Sequence, residues 1–310
     1  MPLVDPTGLV RTHVPLAKLT TSKVGGHAAY FADVRNEDEL RAVVAVRDQS
    51  GQVPILILGK GSNVIISDAG FDGLVIHLQG EFLAIDRGPD GNVTVGGGVS
   101  LPKLARRAAG WGRGGLEWLV GIPGSVGGAV KMNASGYGGG DTAKWLITAE
   151  VFDLSNAGST TRRGSQLGLD YRASNIADAD VVVRATFRTV SRSPDESSTL
   201  MRDITRWRKD NQPGGTFNAG SVFKNPPLQK AWEIIDDLGL KGFRVGGAFV
   251  SHRHANFFEA EGFATAQDIY DLVWSVQERV AAATGILLVP EVRFVGRFDE
   301  SRRELREEQS

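Results

Sequence analysis

VPILILGKGSNVIIS, Val53 to Ser67, sets an apolar run against a five-residue glycine loop and then a second β-branched run. The order it predicts is strand, glycine turn, strand. A Rossmann fingerprint needs a third glycine and a helix directly after the loop, and both are missing here. The loop Gly59-Lys60-Gly61-Ser62-Asn63 offers unhindered peptide N–H groups, a hydroxyl and a carboxamide, which suits a phosphate. A tight hairpin turn is the competing reading of this loop taken alone.

A second cluster tips the balance. GIPGSVGGAV, Gly121 to Val130, packs four glycines, a proline and a serine into ten residues, and Asn133 and the run Gly136 to Gly140 follow. The chain holds 39 glycines in 310 residues, well above the usual ~7 per cent. A backbone closing around a diphosphate accounts for both clusters together. They predict a phosphate-bearing cofactor.

Outside these loops the pattern alternates. Asn36 opens a helix that runs to Gly51, and Val64–Ser67, Leu74–Leu78 and Val93–Val95 read as short strands. Ser100 is expected to cap a helix through Ala108, and Glu150–Leu154 and Val181–Phe187 read as strands with one buried face. SRSPDESS, Ser191 to Ser198, is polar and proline-bearing and reads as a linker. Beyond it the pattern turns α/β: a helix near Leu200–Asp210, another over Gln229–Leu238 stopped by Gly239, and a long one from about Thr265 to Gly285. The charged tail RFDESRRELREEQS is expected to be a solvated helix or disordered.

Composition narrows the function. Apolar residues make up 41 per cent and the formal net charge is -1, with a sequence pI of about 6.5. Such a chain has no basic field to draw nucleic acid or an anionic membrane, which leaves a small-molecule ligand. With no cysteine there is neither a disulfide nor a thiolate. No apolar run approaches the ~20 residues that span a bilayer, so the expected location is the cytoplasm. Five histidines remain: His13, His27, His77, His252 and His254. The pair in SHRHANF supplies too few ligands for a metal, and none is expected.

Seven stretches then resemble, in order, the signatures of one family. They are TTSKVGGHA (Thr20 to Ala28), GKGSNVIISDAGFDGLVI (Gly59 to Ile76), GLEWLVGIPGSVGGAVKMNASGYG (Gly115 to Gly138), LDYRASNI (Leu169 to Ile176), NAGSVFKNP (Asn218 to Pro226), KGFRVGGAFVSHRHANF (Lys241 to Phe257) and PEVRFVG (Pro290 to Gly296). The family is that of the UDP-N-acetylenolpyruvoylglucosamine reductases, MurB. The resemblance implies an α+β fold: a two-part FAD-binding region of the vanillyl-alcohol-oxidase (PCMH) type, followed by a smaller α/β substrate-binding domain. It places FAD binding in residues 1–190 (subdomains about 15–80 and 81–190), substrate binding in 199–296 and a charged tail in 297–310.

It also implies the chemistry. NADPH reduces a non-covalent FAD, which reduces the enolpyruvyl ether of UDP-N-acetylglucosamine to UDP-N-acetylmuramate, a cytoplasmic step of peptidoglycan synthesis. His27 follows two glycines and would be the candidate for covalent attachment, but the family points to a non-covalent flavin. FAD would be held by Gly59, Lys60, Gly61, Ser62, Asn63, Gly121, Ile122, Pro123, Gly124, Ser125, Gly127, Gly128, Ala129 and Asn133. Arg172, Ser221 and Glu291 match the catalytic residues, and Tyr171, Lys209, Lys224 and Asn225 would bind the substrate. The expected partner is a UDP-sugar, with no nucleic acid and no membrane, and the expected state is a monomer.

Each assigned residue can do what is asked of it. Arg172 has a planar fork for a carboxylate, and Glu291 is expected to work protonated, since an anion there would repel a developing dianion. Ser221 is a feeble acid facing a strongly basic carbon, so its position outweighs its acidity. Pro226 and Pro227 stiffen the loop exit. The run Lys209-Asp210-Asn211-Gln212-Pro213 departs from the commoner family form. There is no tyrosine between Tyr171 and Tyr270, so the chain resembles the type without an inserted tyrosine loop. Two alternatives stay open: another FAD-dependent oxidoreductase of this fold, and a nucleotide-binding protein without catalysis.

Overall fold

The computed structural model describes residues 3, 5–49, 51–214 and 217–301. The chain divides into two compact units: one of residues up to Thr12, Tyr30–Lys60 and Gly73–Arg208, the other of His13–Ala29, Gly61–Asp72 and the chain from Lys209 on. Content is mixed α and β throughout, as the α+β expectation required.

In the first unit, strand Ile55–Ile57 lies parallel to Leu74–Ile76, and helix Glu37–Gln49 buries Leu40, Val43, Val44 and Val46 on one stripe. Leu40, Val43 and Val44 share a core with Ile76, Phe152 and Val183. A five-stranded antiparallel sheet runs in the order Gly158–Arg163, Leu146–Asp153, Asp180–Phe187, Val93–Gly96, Ile85–Arg87. Helix Leu101–Gly110 packs Leu101, Leu104, Ala105 and Ala108 into the core of that sheet. Ser100 stands at its N-cap, but its side chain makes no capping bond.

The stretch read as a linker is not one. Pro194–Asn211 is a continuous helix. Ser193 Oγ accepts the Glu196 N–H at 3.2 Å and Glu196 Oε2 accepts the Ser193 N–H at 3.1 Å. This is a reciprocal capping box with proline at the first helical position, so polarity and proline mark a helix start here.

In the second unit an antiparallel sheet has the order Asn218–Ser221, Phe257–Ala260, Ala248–Val250, Arg244–Val245. Helix Ala266–Thr284 begins at a Thr265 capping box and ends at Gly285 with φ 72°, over the span that the sequence predicts. Its Ile269, Leu272, Val273, Val276 and Val280 pack with Phe223, Val250 and Phe258. Strand Val64–Ile66 pairs in parallel with Arg293–Val295, which ties the chain after the glycine loop to the C-terminal segment. The charged tail from residue 302 on lies outside the described residues.

Candidate active site

The glycine loop is strand, turn, strand, as read from the sequence. Gly61 has φ 58°, and a Cβ there would stand 2.5 Å from the Leu19 carbonyl oxygen, so only glycine fits. Among the described residues, no protein acceptor takes the peptide N–H groups of Lys60, Gly61 and Ser62. Successive backbone donors that no protein group accepts make an anion cradle.

The second glycine cluster meets Gly59, the first residue of the loop. A Cβ on Gly59 would lie 2.3 Å from Ser125 Oγ. Ser125 is buried and caps the short helix Val126–Lys131 by accepting the Gly128 N–H. The Val126 and Gly127 N–H groups bond to the carbonyls of Val99 and Gly97, and the Leu101 N–H to that of Gly124, so Gly124–Gly127 is pinned to the segment Gly97–Leu101 that follows strand Val93–Gly96. Two glycine loops meeting at Gly59 and Ser125 fit the diphosphate-bearing cofactor that the sequence predicts, and Gly59, Lys60, Gly124, Ser125 and Gly127 are the residues that would hold it in this unit.

Asn133, expected at the cofactor, also bonds within its own unit. It adopts φ 41°, donates its side-chain amide to the Asp170 carbonyl at 3.0 Å and accepts the Ala143 N–H at 2.9 Å. Its carboxamide therefore braces the hairpin that carries Tyr171 and Arg172. That hairpin closes through paired bonds between Asp170 and Ala173 and holds Arg172 at φ 53°, a left-handed conformation unfavourable for a long side chain. Arg172 Nη1 donates to Ser135 Oγ at 2.8 Å, and its guanidinium lies 5.2 Å from the centre of the exposed Tyr171 ring.

The second unit assembles the remaining acids and bases on one strip of backbone. Ser221 ends a strand opposite Phe257. The next carbonyl, that of Val222, accepts the Glu291 N–H at 2.7 Å, and the Lys224 N–H donates to the Val289 carbonyl at 2.8 Å. Ser221, Lys224 and Glu291 thus sit on two paired segments. Asn63 reaches in from the glycine loop and donates to the Glu291 carbonyl at 3.1 Å. Asn225 is exposed, and its carboxamide oxygen accepts the Ala231 N–H at 3.0 Å, at the start of helix Ala231–Asp237. Lys209 is exposed near the end of its helix, and its carbonyl accepts a bond from Arg253 at 2.7 Å.

Two supporting residues carry no sequence signal of their own. Asn256, nearly fully buried, spans the backbone of Phe223, donating to its carbonyl at 2.8 Å and accepting its N–H at 2.9 Å. Thr21 Oγ1 donates to the Asn218 carbonyl at 2.7 Å. Both lie inside the family stretches, and chain path alone gives them this role. His254 has a bracing contact: its Nδ1 accepts the Asn256 N–H at 3.2 Å and its ring packs edge-on to Phe257. Burial foremost holds its pKa below the usual imidazole value. No group of three or more metal-ligating side chains occurs among the described residues, and no described helix is long and apolar enough to cross a membrane.

Comparison with known proteins agrees with this layout. A family model described as the C-terminal domain of UDP-N-acetylenolpyruvoylglucosamine reductase matches residues 212–295, and one described as an FAD binding domain matches residues 28–160. The UDP-N-acetylenolpyruvoylglucosamine reductase of Syntrophotalea carbinolica is 42% identical over 283 residues, 91% of this chain and 93% of its own. That of Synechococcus sp. (strain RCC307) is 44% identical over 297 residues, covering 94% and 96%. Among solved structures, the UDP-N-acetylenolpyruvylglucosamine reductase (MurB) of Thermus caldophilus matches with a TM-score of 0.80 at 37% identity, over 93% of this chain and 100% of that one.

Proposed function

Because the chain belongs to the UDP-N-acetylenolpyruvoylglucosamine reductase family and is an FAD-dependent oxidoreductase acting on a UDP-sugar, we propose that Arg172, Ser221 and Glu291 carry its catalysis. The reaction is the NADPH-dependent reduction of the enolpyruvyl group of UDP-N-acetylglucosamine enolpyruvate to UDP-N-acetylmuramate. Bound FAD supplies the hydride transfer; the chain orients the reactants and handles charge and proton.

Hydride addition to the terminal carbon leaves negative charge on the neighbouring carbon and in the substrate carboxylate. Arg172 binds that carboxylate through its planar fork and stabilises the charge as it grows. Ser221 gives its hydroxyl proton to the carbanionic carbon. Glu291 works in its protonated form, adding a hydrogen-bond donor rather than a second anion. Lys224 polarises the surroundings of Ser221, while Tyr171, Lys209 and Asn225 bind the sugar nucleotide. FAD is held non-covalently, with residues 1–190 as its binding region and 199–296 as that of the substrate. The enzyme acts as a cytoplasmic monomer.

The observation that supports this most directly is the pairing of the two segments at Val222 and Glu291, which sets the proposed proton donor one residue from the segment that carries the carboxyl group. The test is a half-reaction. The protein's flavin is reduced with NADPH without oxygen, UDP-N-acetylglucosamine enolpyruvate is added, and the flavin absorbance band is followed. Rapid reoxidation is expected. A reduced flavin that ignores this substrate would overturn the substrate assignment.

A further inference from the structure

The catalysis above makes no use of Glu117, yet this buried carboxylate, 5% exposed, is met by three donors. Glu117 Oε2 accepts the Gly115 N–H at 2.7 Å, and Oε1 accepts the Ser197 hydroxyl at 2.7 Å and Arg192 Nη1 at 2.8 Å. A carboxylate withdrawn from water is tolerated only when such bonds replace hydration. Gly115 leads into the loop Gly121–Ser125, whereas Ser197 lies in the first turn of helix Pro194–Asn211 and Arg192 just before it. The acid therefore ties one to the other.

The same helix returns to that loop further along. A Cβ on Gly121 would lie 3.0 Å from Ile204 Cγ2 and 3.2 Å from Arg208 Cδ. Spacings of seven and four residues put Ser197, Ile204 and Arg208 on one helix face. Apolar contact at Ile204 is non-directional and would let the helix slide or roll; charge-assisted bonds at Glu117 fix its register. Arg208 is partly buried, so a small shift of the helix moves a partly desolvated cation beside the loop.

We propose that Glu117 is a positioning residue for cofactor binding: it locks helix Pro194–Asn211 in register on the Gly121 loop and thereby sets Arg208 against that loop. This rests on the FAD reading of the Gly121–Ala129 cluster. It needs no assumption about the substrate.

The test is a double-mutant cycle on flavin affinity, measured on the full-length holoenzyme from the fluorescence of FAD released on dilution. Variants are Glu117→Gln, Arg208→Ala and the double. Each single change is expected to raise the FAD dissociation constant about tenfold, and the double by about the same factor, because residues acting through one another are not additive. Multiplied effects, about a hundredfold in the double, would overturn the proposal, as would an unchanged constant in Glu117→Gln. A purely structural role would lower the unfolding temperature without this coupling. Should Glu117→Gln fail to fold, Ser197→Ala removes one donor of the three and takes its place in the cycle. A wild-type protein without flavin would sink the FAD reading and this proposal together, whereas failure of the substrate to reoxidise the flavin leaves the proposal standing.

Discussion

Asn63 donates its side-chain amide to the main-chain carbonyl of Glu291 at 3.1 Å across 228 residues of sequence. The Arg293 N–H returns a bond to the Asn63 carbonyl at 3.1 Å. The glycine loop assigned to the cofactor and the segment bearing the proposed catalytic carboxyl group are thus locked by one residue.

Asn63→Ala removes the donor and leaves the Glu291 carbonyl without it. A loss of about 1 kcal/mol in stability is expected, the net worth of one such bond, readable from urea denaturation. Flavin reoxidation by substrate should slow more than flavin reduction by NADPH, because the lost brace acts on Glu291. Equal slowing of both half-reactions would count against that role.

Ser221→Ala keeps the backbone pairing of its strand and deletes only the hydroxyl. Anaerobic stopped-flow should show flavin reduction by NADPH near the wild-type rate and reoxidation by the enolpyruvyl substrate slowed by about 10²-fold or more, the usual scale of a positioned proton donor. Failed reduction with intact reoxidation would refute the proton-donor assignment.

Gly59→Ala drives a methyl group to 2.3 Å from Ser125 Oγ. The buried serine has to move and its cap on helix Val126–Lys131 is disturbed. Overpacking of this kind costs about 1–3 kcal/mol, so the variant should unfold at lower temperature and be purified with less flavin. Full flavin content at unchanged stability would show that the two loops need not touch.

His254 makes stability depend on pH with a definite sign. Its folded pKa lies below the usual ~6.5, through burial first and the Lys241 charge as well, against the pull of Asp236. The unfolded chain therefore takes up the proton first as pH falls. Its contribution is fully present above about pH 6.5 and is lost as pH falls from there towards the folded value. Between pH 7.5 and 5.5 the urea midpoint should fall in the wild type and fall less in His254→Asn. Parallel profiles for the two proteins would assign the pH dependence elsewhere.

Local chemistry made much of the fold readable. The strand–turn–strand order around Gly59–Asn63, the Thr265 cap and the Gly285 stop were each legible because period, cap and φ preference act within a few residues. The same reasoning misread Ser191–Ser198 as a linker, although the Ser193 and Glu196 spacing already spelled a capping box. The family stretches named Ser221, Arg172 and Glu291, but not which side chains would hold their segments: Asn63 and Asn133, expected at the cofactor, brace Glu291 and the Arg172 hairpin as well.

Those holders are contacts between distant parts of the chain. Asn256 clamps Phe223 from 33 residues away, and Glu117 meets Ser197 across 80. The side chains are ordinary asparagine and glutamate, whose partners depend on which strand runs beside which. The sequence by itself determined the elements, the glycine loops and the family, because those are written in local pattern and motif. Only the tertiary structure decided which polar side chains would be buried and matched, because that depends on chain path and on the requirement that buried polar groups find partners.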